Sequence, residues 1–112
     1  MRITMVVMDV FEAIEGAPPH APAWGLRLCQ DTGYGTGTIY PALGRLLKAG
    51  WIRDEWETPA PADRPRRRFY RATEEGRAAW RQAVAARVAR REAREIKLAG
   101  ASPGVLASAA AR

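Results

Sequence analysis

GYGTGTIYPALGRLLKAGWIRDEWETPAPADRPRRRFYRATEEGRAAW, residues 33–80, decides how this chain folds. Ile39, Leu43, Leu46 and Leu47 recur at i, i+4, i+7 and i+8, the spacing of one helical face. Thr38, Pro41, Arg45 and Lys48 fall on the other side, again at helical spacing. Gly33-Tyr34-Gly35 reads as a tight connection before this helix, which spans 36–49. Thr36 or Thr38 can cap it, and Gly50 can supply the left-handed residue that ends it. Pro41 is tolerable in a first turn, where backbone N–H groups lack partners anyway. Trp51–Glu57 is strand-like, with Ile52 and Trp56 on one face and Asp54 between them. Three prolines in Thr58–Pro65 exclude a central strand. Arg66–Ala72 reads as the returning strand, with Tyr70 and Ala72 sharing a face.

Further along, Thr73 can cap a last helix over 74–97, and Glu74 and Glu75 answer its positive N-terminal end. Trp80, Val84 and Val88 form its narrow apolar stripe, widened by Ala83. Before residue 33, Ile3–Ile14 reads as a first helix with Val6, Val10 and Ile14 at i, i+4 spacing, and Met5, Val7 and Met8 make it apolar on more than one side. Gly16–Ala21 is a Pro-rich loop. Pro22 suits the first turn of a second helix that runs to Thr32 and stops at Gly33, with Trp24 and Leu28 facing the core. Residues 98–112 are rich in small side chains and predict a loosely ordered tail.

Composition narrows the function classes. At 112 residues with 47% hydrophobic content the chain fits one compact domain, with one element free to meet a partner. Cys29 alone forms no internal disulfide, which fits a reducing compartment, and its apolar helical setting favours packing. No apolar run approaches the roughly 18 residues of a membrane span, and no secretory leader is visible, so a cytoplasmic protein is expected. Net charge is +6 and the pI is near 10.4. Residues 63–97 hold 12 of the 18 Lys and Arg against 5 acids, a surplus of 7. Clustered cations of this kind attract a phosphate backbone and release its counterions.

Helix, strand, basic loop, strand and long basic helix is the order of a winged helix-turn-helix. One helix braces and a second presents its outer face to a major groove. Thr36 lies at the start of that second helix and Thr38 can reach phosphate or base. Arg45 and Lys48 can reach guanine edges or phosphates, although Lys48 also answers the helix dipole where it stands. Pro41 lies on the same outer face. Tyr40 is either a phosphate contact or a core-edge aromatic. Arg64, Arg66, Arg67 and Arg68 sit at or beside the hairpin tip, suited to a backbone or to a narrow minor groove. Alternation in a strand turns Arg66 and Arg68 away from Arg67. The apolar first helix and the narrow stripe of the last one predict a homodimer through Met5, Met8, Trp80, Val84 and Val88, with two reading heads about one DNA turn apart.

Catalysis finds no support. His20 is the one histidine and lies in a Pro-rich loop, one Cys and one His supply no zinc cluster, and Gly33-x-Gly35-x-Gly37 has neither the spacing nor the lysine of a phosphate loop. No cofactor or metal is expected. The competing class is a winged-helix adaptor or antagonist that binds another regulator and has no operator of its own. Duplex RNA is a weaker partner, because its deep major groove does not admit a helix.

Gly37-Thr38-Ile39-Tyr40-Pro41-Ala42-Leu43, Arg45-Leu46 and Ala49-Gly50-Trp51-Ile52 resemble the recognition-helix signature of the PadR-like winged-helix transcription regulators. Trp24-Gly25, Trp56-Glu57, Arg64-Pro65-Arg66-Arg67-Arg68-Phe69-Tyr70-Arg71 and Thr73-Glu74-Glu75-Gly76-Arg77 resemble further pieces of it, so the likeness covers Ile3–Val88. It implies a homodimeric regulator, usually a repressor, on a palindromic operator of double-stranded DNA. Some members also bind a small aromatic or drug-like effector near the dimer interface. The loop Glu15–Pro22 departs from the family pattern in being longer and richer in proline. The expected fold is therefore mainly α (α+β): a winged helix-turn-helix over 1–73 with a two-stranded wing and a dimer-facing N-terminal helix 3–15, a C-terminal dimerisation helix over 74–97, and the tail 98–112.

Overall fold

The chain, described over residues 1–100 by a computed structural model, orders its elements as α1 (Met5–Gly16), β1 (Ala23–Trp24), α2 (Gly25–Thr32), α3 (Thr36–Lys48), β2 (Ile52–Trp56), β3 (Arg68–Ala72) and α4 (Glu74–Gly100). Two units make it up, Met1–Trp80 and the part from Arg81 onward. Within the first, α1, α2 and α3 enclose a core of Val7, Val10, Phe11, Ile14, Leu28, Ile39, Leu43 and Leu46, to which the sheet adds Ala23, Ile52 and Tyr70. Removing each large apolar side chain from water contributes about 1.5–3 kcal/mol. Phe11 lies at the centre, edge-on to Trp51 at 5.5 Å and tilted against Trp80 at 6.0 Å.

The core face of α1 differs by one position from the expected stripe. Val7, Met8, Val10, Phe11 and Ile14 are buried, Val6 packs at the margin, and Met5 faces outward at 62% exposure. Thr4 sets this phase by accepting a hydrogen bond from Val7 N at 3.2 Å as the N-cap, so α1 starts two residues later than expected.

The second correction concerns residues 22–24. Pro22 does not open a helix. Ala23 and Trp24 stay extended and pair with Tyr70 and Phe69, so the sheet has three antiparallel strands in the order β1-β3-β2. Proline is tolerated at the start of an edge strand because it need not donate there. Trp24 therefore lies on the sheet and only Leu28 of the expected pair faces the core from α2. In β2, Ile52 is buried and Trp56 is 57% exposed, because the core ends before the far end of the strand.

The connections are set by three devices. Gly33 (φ 80°) ends α2 and Gly50 (φ 77°) follows α3, both in the left-handed region where only glycine is unstrained. Tyr34, between the two glycines of the turn, donates its hydroxyl to Asp9 Oδ2 at 2.5 Å and ties the turn to α1. That bond holds the Tyr34 hydroxyl proton and pushes its pKa upward. Thr73 joins the sheet to α4: its hydroxyl lies 2.6 Å from the Gly50 carbonyl and accepts from Gly76 N at 2.9 Å. Gly76 sits so close to β2 that a Cβ there would come within 2.1 Å of the Trp51 carbonyl oxygen.

From Arg81 the second unit is helical through Gly100, past the expected end at Lys97. Val88, Ile96 and Leu98 are exposed, Val84 is half-buried, and Arg91 pairs with Glu95 at 3.3 Å one turn on. Of the expected tail, residues 98–100 continue this helix and 101–112 lie outside the described residues.

Candidate nucleic-acid interface

Helix α3 is seated by Ile39, Ala42, Leu43 and Leu46, all essentially inaccessible. That seating fixes what the opposite face presents. Gly37, Pro41, Gly44, Arg45 and Lys48 are all exposed there, at i, i+4, i+7, i+8 and i+11. Arg45 and Lys48 make no hydrogen bond or ion pair among the described residues, so their charges face outward unspent. Thr36 is exposed, whereas Thr38 is half-buried at the margin. Neither caps the helix. Gly35 is the N-cap, with no side-chain bond, and its carbonyl accepts from Thr38 N and Ile39 N, each at 3.0 Å. Because α3 starts at Thr36, Pro41 lies beyond the first turn, and the Gly37 carbonyl loses its donor four residues on. Both residues are exposed, which lets water take that carbonyl.

Tyr40 turns out to be a hinge between helices. Its ring lies against Gly25, the first residue of α2, so closely that a Cβ on Gly25 would meet the hydroxyl at 2.3 Å. The residue remains 48% exposed. It is thus both a packing contact and an available hydroxyl. Small Gly37 and Gly44 stand exposed on the outer face beside the charged and hydroxyl residues, and their lack of a side chain is the sequence signal for close approach.

The wing arginines have a different environment. Arg64 donates to both oxygens of Glu57 at 2.8 and 2.9 Å, which holds the Glu57 carboxyl below the usual glutamate range. Glu57 also accepts from Arg67 N at 3.3 Å and donates its own N–H to the Arg67 carbonyl at 2.8 Å, closing the loop's neck. Arg68 is paired with Asp54, a contact that raises its already high pKa. The Arg67 guanidinium stacks 3.9 Å above the Trp24 ring. Arg66 is exposed and makes no contact of this kind among the described residues. The returning strand starts at Arg68 and not at Arg66, so Arg66 and Arg67 precede it and strand alternation does not order them; Arg67 turns to Trp24 and Arg68 to Asp54. The acids Asp54 and Glu57, which take the guanidinium groups, were missed; they stand in β2 and just after it, and only the β2–β3 register (Trp56 opposite Arg68) brings them across.

Of the expected self-association residues, Met5 is exposed and Met8 is buried at 8%. Trp80 is half-buried against Phe11, and its indole N–H is enclosed without an acceptor among the described residues. Val84 is half-buried and Val88 is 48% exposed. No helix among the described residues is long and apolar enough to cross a membrane.

No curated protein sequence matches the chain. Solved structures do. A PadR-like transcription factor from Bacteroides fragilis is 21% identical, with 81% of this chain and 87% of that one covered at a TM-score of 0.70. A PadR family transcriptional regulator from Eggerthella lenta is 26% identical, with 83% and 80% covered and a TM-score of 0.67. A PadR family regulator from Clostridium difficile is 18% identical, with 84% and 92% covered and a TM-score of 0.57. At such identities the first and third bear on the fold alone. A family model, described as the transcriptional regulator PadR-like family, matches residues 26–82, from the start of α2 through the wing into α4 and just over half of the 112 residues. With the three-helix core, the hairpin wing and that match together, the chain belongs to the PadR-like family of DNA-binding transcriptional regulators, with their winged-helix fold.

Proposed function

We propose that this chain is a homodimeric repressor that binds a two-fold symmetric operator in double-stranded DNA. Helix α3 enters the major groove with Arg45 and Lys48, while Thr36, Thr38, Tyr40 and Pro41 line the approach. The wing lies on the flanking backbone with Arg66 as its first contact, and Arg64, Arg67 and Arg68 are available once they exchange their protein partners for phosphate. The observation that carries the reading is the outer face of α3: an exposed row with two glycines and two cations that no group among the described residues engages. Glycines let the backbone come near a base edge, and free cations retain their full attraction for phosphate.

Self-association through α1 and α4 is supported by exposed Met5, Val88, Ile96 and Leu98, which one chain leaves in water. A dimer of this kind spaces two copies of α3 for a palindrome. The site of action is then the cytoplasm, where the DNA is. A small aromatic effector at that interface belongs to the same reading.

The test is selection of bound genomic fragments followed by a gel shift over a salt series, with mass in solution measured in parallel. Expected are a recurrent two-fold symmetric sequence, a steep loss of affinity with salt, and a dimer. A second reading has one observation in its favour. Two of the four wing arginines are already held by carboxylates, as suits a surface that meets protein. In that case the chain is an adaptor or antagonist of another regulator, and no duplex is retained at any salt concentration.

A further inference from the structure

The loop after α1 has no part in the DNA-facing surface, yet it is firmly built. Residues Gly16–Pro22 arch over the face of the sheet that is turned away from the core. Pro18, Pro19 and Pro22 restrict its backbone. Ala21 N bonds the Pro18 carbonyl at 3.0 Å, and Arg71 Nη1 reaches from β3 to the Pro19 carbonyl at 3.1 Å. Between loop and sheet lies a cleft of about 750 Å3. That is within the roughly 300–1,000 Å3 of small-molecule sites.

Its lining has a definite chemistry. Trp24 and Phe69, paired in register, supply aromatic surface from β1 and β3. Three lining arginines are present, and two of them are spoken for: Arg27 pairs with Asp31 at 3.2 Å and Arg71 with Glu55 at 2.5 Å. Glu57 is taken by Arg64. Arg67 is left with no salt bridge among the described residues; its guanidinium carbon lies over the Trp24 ring, 3.9 Å from the centroid. A contact with the ring uses none of the fork's N–H donors, which remain free for an anion.

We propose that this cleft is a binding site for a small organic anion, a carboxylate or sulfonate with a flat apolar body. The anion takes the edge of the Arg67 guanidinium and the body lies on Phe69, under the proline loop. The site is walled by the sheet, the loop after α1 and Arg27 and Asp31 of α2, and it touches α1 only at its end, through Ala13 and Gly16. It requires nothing of the DNA reading, and its test contains no DNA.

The test uses the full chain and the dye anilinonaphthalene sulfonate, titrated by fluorescence, with amide chemical-shift mapping of the wild type. Expected are one saturable site per chain and shifts confined to residues 16–24 and 55–71. Arg67→Met should weaken binding about tenfold, the scale of one charge-assisted contact. Arg66→Met removes the same charge one residue away, from a side chain outside the cleft, and should change it less than twofold. The cationic dye thioflavin T, of similar size, should not compete. Equal effects of the two variants, no effect of either, or shifts clustered on α1 and α4 would each overturn the proposal. Should Arg67→Met fail to fold, the wild-type shift map and the thioflavin competition still decide it.

Discussion

Helix α3 and the wing both carry cations, but they are held by opposite means. Apolar burial seats α3: Ile39, Leu43 and Leu46 are sealed in the core, and Arg45 and Lys48 take no part in holding it. The wing has little core beneath it. Its loop is kept in shape by Arg64 on Glu57, its strands by Arg68 on Asp54 and Arg71 on Glu55. The charges in the helix are therefore available to a ligand at no cost to the fold, whereas Arg64 and Arg68 in the wing are part of the fold. A guanidinium engaged by a carboxylate must release it before it grips a phosphate, so the wing's net gain per contact is smaller than a count of its arginines suggests.

The sharpest way to break this contrast is at its foundations. Leu43→Ala should lower unfolding stability by about 2–5 kcal/mol in a denaturant titration, while Arg68→Met should cost below about 1 kcal/mol, as exposed pairs do. Equal losses would mean that α3 is not held by its buried face. Next comes the reading of DNA. Arg45→Ala should cost roughly 1–3 kcal/mol at one operator position and little on random duplex; a uniform loss on every sequence would make it a phosphate contact. A smaller effect of opposite sign is expected from Asp54→Asn, which frees Arg68. Affinity for random duplex should rise a few-fold and its salt dependence should steepen, whereas Asp63→Asn, an equal charge change on a carboxylate with no hydrogen bond here, should do less. The smallest effect is with pH. The hydrogen bonds from Arg64 lower the pKa of Glu57, so the pair's contribution is present above the usual glutamate range and is lost as pH falls through the lowered value. Amide protection over residues 57–67, taken relative to the intrinsic exchange rate at each pH, should fall there, with that of α3 unchanged; a simultaneous fall in both would erase the distinction.

The same contrast explains what could be read from the amino acids. The apolar period of α3, the glycines that end α2 and α3, and the Thr73 cap depend on neighbours a few residues away, and each is where the sequence places it. What escaped depends on distant partners. Two residues make a strand at 23–24 only because Tyr70 and Phe69 come alongside. Asp54 and Glu57 neutralise arginines only once the β2–β3 register is set. Gly25 and Gly76 matter through what lies against them, the Tyr40 ring and the Trp51 backbone, and nothing local marks either approach. Pro41 was misplaced for a local reason: the start of α3 is fixed by Gly35, not by a threonine hydroxyl.

The two outer strands of the sheet have a consequence for crowding. Strand β1 is two residues long, too short to template a newcomer, and β2 offers Arg53, Asp54 and Glu55 along its open margin. Short borders and charged borders both discourage a foreign strand from zipping on. At high concentration this protein should resist fibrous growth.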